Sequence, residues 1–179
     1  MRARAWIGIG GAAAVLLAAG LVFKPWLLFV DVRVDDVLPS AAPHTSVPSP
    51  AQAASPSASP TPETPTVLAA GSFTSHEHQT TGSATIIRNP DASRVLAIEN
   101  LATSSGPDVH VWLRASDVVE GRDGWYVAGS ADFVDLGPIK GNLGNQLYEI
   151  PADIDLSKYR SVSLWCVQFA VSFGAAPLT

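Results

Sequence analysis

Between Ser40 and Thr66 the chain has almost nothing to bury. Twenty-three of these 27 residues are Pro, Ala, Ser or Thr, and seven are Pro. Such a stretch cannot offset the entropy of ordering, and its prolines oppose both helix and sheet. Proline spacing favours polyproline II, so the segment reads as a semi-rigid stalk with a reach of at most roughly 80 Å at ~3.1 Å per residue. Its Ser and Thr residues beside Pro suit O-linked sugar. The 179 residues therefore divide into residues 1–30, a linker over 31–66, and residues 67–179 as the one stretch able to build a core.

The first part reads as a membrane anchor. Ala5 to Phe23 is nineteen residues without a charge. As a helix it spans about 28 Å at ~1.5 Å per residue, close to the ~30 Å hydrocarbon core. Lys24 and Trp26 suit the interface, and apolar character continues to Val30. Arg2 and Arg4 precede the segment, while Asp31, Asp35 and Asp36 follow it. The expectation is a single-pass protein of the cell membrane, with a cytoplasmic N-terminus and an extracytoplasmic C-terminal domain. The alternative is a cleaved signal peptide. Cleavage at Ala18-Ala19-Gly20 leaves a very apolar new terminus, and Ser40-Ala41-Ala42 lies far from the apolar core. Either reading exports the remainder.

Charge and cysteine usage remove whole classes of function. Only 15% of residues are charged, against roughly 25% in ordinary soluble domains. The net charge of −5 resides in residues 67–179, and no basic run exists, which argues against nucleic acid as a partner. Cys166 is the one cysteine, so an intramolecular disulfide, a CxxC redox pair and a multi-cysteine zinc site are all excluded.

Period-two alternation dominates residues 67–179, which predicts an all-β, antiparallel sandwich or barrel-like domain. Strands are expected at 84–88, 94–99, 108–114, 125–128, 133–136, 146–150 and 161–173. Turn signals such as Asn89-Pro90-Asp91, Gly106-Pro107 and Gly137-Pro138 separate them. Helical turns are expected only near 115–119 and 156–159. In the last strand, Trp165, Val167, Phe169, Val171 and Phe173 form the heavier apolar row and should face the core. Cys166 then lies on the milder row with Val162, Leu164, Gln168 and Ala170, toward a second layer or a partly open pocket, unless a bulge intervenes.

Few residues here can carry chemistry. A free cysteine usually behaves as a small buried hydrophobe, but an unpaired thiol outside the cell is exposed to oxidation. Its functional forms are a redox thiol, an axial thiolate to haem, or a metal ligand. His44 lies in the linker. His76 and His78 share a face if the chain is extended there, and read as solvated polar residues rather than a copper or zinc pair. His110 lies mid-strand, on a face with Asp108 and Trp112, and reads as partly buried and satisfied. A Cys166–His110–Asp108 hydrolase triad can be written, but no nucleophile-elbow glycine pattern surrounds the cysteine. Trp112, Trp125, Tyr126, Tyr148, Tyr159 and Trp165 read mostly as packing, although one or two lining a groove would stack a flat cofactor or a sugar.

The runs GSFTSHEHQTTGSATI, ENLATSSGPDVHVWLR and DLGPIKGNLGNQLYEIP, with the Trp165-Cys166 strand ending in Phe173-Gly174, resemble the DM13 domain, also called electron-transfer DM13. The resemblance covers about Gly71 to Leu178. The anchor and the KPWLLFV segment resemble membrane-anchored actinobacterial members. The resemblance implies an all-β domain, often found beside DOMON-type cytochrome domains, whose cysteine acts in electron transfer as a bare thiol or by holding a prosthetic group such as haem. That role maps onto Cys166. His78 and Asp108 fall at recurrent family positions and, with His110, are secondary cofactor-binding candidates. No DOMON domain is attached in this chain, so an electron-transfer partner is expected to be a separate molecule.

The resulting expectation is a membrane-anchored, extracytoplasmic redox or electron-transfer module built on Cys166, a carrier rather than a turnover enzyme. The rival is a non-redox β-sandwich on a stalk that binds a cell-wall sugar, lipid or protein.

Overall fold

A computed structural model describes residues 18, 20, 21, 30–39, 64–127 and 129–179. The expected span from Ala5 to Phe23 and the Pro-rich stretch lie almost wholly outside the described residues. Among the described residues no helix is long and apolar enough to cross a membrane.

Alternation drives the fold. In β4 (Thr81–Arg88) and β5 (Arg94–Ala102), Ala84, Ile86, Leu96 and Ile98 point to one side. In β6 (Val109–Arg114) and β9 (Ser161–Cys166), Val109, Val111, Leu113, Val162, Leu164 and Cys166 do the same. Removing these rows from water brings two sheets face to face around one apolar cluster. One sheet runs β1-β8-β5-β4-β2, with β1 Arg33–Asp35, β2 Thr66–Ser72 and β8 Leu143–Ile150. The other runs β3-β10-β9-β6-β7, with β3 Thr74–Ser75, β7 Phe133–Pro138 and β10 Val171–Pro177. Every pairing is antiparallel except β1 with β8. The all-β sandwich reading therefore holds.

The expected strand over 161–173 is two strands. The chain turns at residues 167–170, where Ala170 takes a left-handed φ of 51°. Val167 N–H still donates to the Asp108 carbonyl at 2.8 Å, one step past the last β6–β9 pair, Val109 with Cys166. Of the expected core row, Val171 and Phe173 do face the core, but the facing inverts ahead of the turn. Val162, Leu164 and Cys166 fill the central cluster, Trp165 faces outward against Trp112, and Val167 and Phe169 are exposed. The cysteine does not face away from the heaviest packing.

Two further local expectations fail. Gly124–Val127 is a helical turn, α1, where a strand over 125–128 was expected. A Cβ at Gly124 would overlap the Val119 carbonyl, so the chain can close this turn only with glycine there. Residues 115–119 form no helical turn. Leu156–Lys158 does form one, a 3-10 turn in which Ser157 N–H donates to the Asp155 carboxylate.

β1 lies within the segment expected as linker. Its neighbours are shaped for it: a Cβ at Gly141 would strike the Val32 carbonyl, and one at Gly144, at φ 98°, would strike the Val34 carbonyl. The Asp36 carboxylate accepts from Lys140 Nζ at 2.6 Å and from Leu147 N–H at 2.9 Å. These contacts, the ammonium first, hold its pKa below the ordinary value.

Candidate functional site

Cys166 ends β9 and points between the sheets, opposite Val109 of β6 and Val171 of β10. Its exposure is 0%. The backbone N–H groups of Phe169 and Gln168, in the turn that follows, and of Asp108, just ahead of β6, donate toward Sγ. Two forces oppose each other there. Burial pushes the thiol pKa up, the three amides pull it down, and the nearby Asp108 charge pushes it up again. The net direction is upward, so Cys166 rests as the neutral thiol.

His110 occupies the opposite face of the same sheet. It pairs in register with Trp165, one residue before the cysteine, so the pleat sends the two side chains to opposite sides. Its Nδ1 lies 2.8 Å from Asp135 Oδ2, and its Nε2 lies 3.1 Å from Asp108 Oδ1. This is the satisfied histidine expected from the sequence, held between two carboxylates. A Cys166–His110–Asp108 triad is ruled out by the facing: His110 and Cys166 project from opposite faces of the sheet, so the imidazole cannot reach the sulfur.

Beside His110 lies an aromatic layer. The Trp112 ring stacks on Phe133 at 3.8 Å and on Trp165 at 5.3 Å. His78 lies elsewhere. It is half-buried, with its ring 3.8 Å from Phe173 and its Nε2 against Glu77. Phe173 belongs to the same apolar cluster as Cys166, so His78 caps that cluster rather than joining His110.

The pair His76 and His78 departs from expectation. Residues 76–78 form a bend, and His76 is buried rather than solvated. Its Nδ1 lies 2.8 Å from Ser172 Oγ, and burial lowers its pKa against the opposing pull of the Val119 carbonyl. Sequence reasoning also missed Arg114, which is buried on the same outer face. Its Nη2 donates to the Val127 carbonyl at 2.9 Å, and among the described residues no carboxylate pairs with it. Outward placement in β6 was readable; burial under the 115–132 segment was not.

The surroundings of Cys166 do not fit a haem. An axial thiolate needs open space at Sγ, and this sulfur has none. Surface recesses of about 480 and 380 Å³ are lined by other residues. Among the described residues no group of three or more His, Cys, Asp or Glu side chains could hold a metal ion.

Fold and site together define a two-sheet β-sandwich with one interior thiol, capped by a turn of backbone amides. The family model described as electron transfer DM13 matches residues 72–178, more than half of the chain, and the chain belongs to that family. No curated protein and no solved structure matches it.

Proposed function

We propose that the chain is a membrane-anchored, extracytoplasmic redox module in which Cys166 exchanges an electron with a separate carrier as a bare thiol. One observation carries this reading: three backbone N–H groups converge on a single buried sulfur. A cysteine that only fills space needs no donors. The donors engage the sulfur's lone pairs and hold it in one position while its electron count changes. In the forward step the thiol gives one electron to an oxidised one-electron carrier and one proton to solvent. The neutral sulfur radical that remains suits an apolar interior better than a thiolate. The reverse step takes both back. The family description supports the same chemistry.

The test is a stoichiometric titration of the full chain with hexachloroiridate(IV), an outer-sphere one-electron oxidant, beside Cys166→Ala. The expected result is one further equivalent consumed by the parent chain, with the oxidation mapped by mass spectrometry to Cys166. Equal consumption at preserved fold overturns the proposal and leaves the non-redox binding module.

A further inference from the structure

We infer that the sandwich lies directly against the lipid surface entered by the apolar segment, Cys166 end down, so that the Pro-rich stretch does not hold the two apart. This rests on the proposed membrane anchor, and goes beyond it by fixing where the domain sits.

The chain is fastened to the domain before the Pro-rich stretch begins. The Val30 carbonyl accepts from Ser105 Oγ at 2.8 Å, and Val32 N–H donates to Asn142 Oδ1 at 2.7 Å. β1 then starts at Arg33, three residues after Val30. The backbone approach at Gly141 and Gly144, and the Asp36–Lys140 ion pair, belong to the same docking. Only after Asp36 does the chain run toward β2. β1 and β2 are the two opposite edges of one five-stranded sheet. Four inter-strand steps of ~4.8 Å separate them, about 19 Å. A segment whose two ends are held at the edges of one sheet cannot lift that sheet away from Val30.

Hydrogen bonds identify the end nearest the membrane. Thr103 N–H donates to the Asn142 carbonyl at 3.0 Å, Ile139 N–H to the Val109 carbonyl at 2.8 Å, and Val167 N–H to the Asp108 carbonyl at 2.8 Å. Val30, the 103–108 loop, the start of β8 and the 167–170 turn therefore share one end. That end exposes apolar side chains: Val30 is 43% exposed, Val32 44%, Val167 43% and Phe169 49%. A turn tip carrying Val and Phe beside the exit of an apolar segment suits the lipid interface. Asp31 and Asp108 at the same end favour a zwitterionic surface over an anionic one.

The test uses the full chain in phosphatidylcholine nanodiscs, with Cys166 left native. A nitroxide is placed at Phe169→Cys, and in a second sample at Ala152→Cys, just beyond the far end of β8. Strand length separates the two sites by about 25 Å at ~3.3 Å per residue. Expected is a spin label at position 169 relaxed preferentially by dissolved oxygen, and one at 152 relaxed preferentially by an aqueous nickel chelate. A chain retained on the disc with both labels equally open to nickel overturns the orientation and leaves the anchor standing. A chain released by alkaline carbonate overturns the anchor, and the orientation with it. Near-ultraviolet circular dichroism matching the parent establishes that each variant is folded, and Val167→Cys replaces Phe169→Cys if that one is not.

Discussion

Cys166 in the folded chain should react with a disulfide reagent only as fast as the turn above it opens. Sγ has no exposed surface, so the closed state is inert. Opening residues 167–170 breaks the Val167–Asp108 hydrogen bond and frees the Gln168 and Phe169 amides from the sulfur. At about 1 kcal/mol net for each such contact, the cost is about 3 kcal/mol. Tenfold per 1.4 kcal/mol makes this a slowing of about 10² relative to the unfolded chain. Global unfolding, typically about 5–15 kcal/mol, would slow labelling by about 10⁴ or more. The assay is pseudo-first-order labelling of the full chain across a urea series below the unfolding transition. Turn opening exposes little surface, so the rate should be nearly flat in urea. A rate within tenfold of the unfolded chain would refute the burial argument. A rate that climbs with the full equilibrium slope would refute the turn as the gate. The upward thiol shift adds a pH signature: labelling should keep accelerating above the ordinary cysteine pKa of 9.0 instead of levelling there.

Other outcomes follow from the same contacts. Asp36→Asn should loosen β1, read as faster hydrogen exchange at residues 33–36. Because the Asp36 pKa is depressed, its contribution is present above 3.8 and is lost as pH falls through the lower folded value, so acid should loosen β1 in the parent chain and have less effect in the variant. Gly144→Ala should displace β1 outright, since the new Cβ overlaps the Val34 carbonyl at a left-handed φ; unchanged exchange at β1 would contradict the close approach. Arg114→Met should change urea stability by no more than about 1 kcal/mol or raise it, because a guanidinium buried without a carboxylate is costly. A loss of several kcal/mol would mean that the cation has a partner.

Much of the sandwich is readable where alternation meets strong turn residues. β4 and β5 flank Asn89-Pro90-Asp91, and the Asp91 carboxylate does cap that turn, accepting from Ser93 N–H at 2.9 Å. The turn at 167–170 is hidden because Val-Gln-Phe-Ala contains no turn former and Ala170 adopts a conformation that alanine rarely chooses. Val171 and Phe173 do face the core, but an alternating row run back from them through such a turn puts Trp165 with them and Cys166 on the milder face, the reverse of the structure. α1 is hidden because Trp125, Tyr126 and Val127 favour strands, while only the contact at Gly124 demands a turn. His110 with Asp108 is visible two residues apart on one face. Asp135 comes from β7 and enters only once β6 and β7 pair.

The parallel pairing of β1 has a consequence for how the chain acquires its structure. Arg33 meets Leu143, so the first strand synthesised waits for a partner more than a hundred residues downstream. Closing a loop of that length costs entropy that local contacts do not return. The antiparallel hairpins β4–β5 and β9–β10 close over short turns and can form first. Docking of β1 then becomes the last cooperative step, adding an edge to a sheet that already exists. A mutation confined to β1 should leave the folding rate almost unchanged and appear instead as faster unfolding, the behaviour of contacts absent from the transition state.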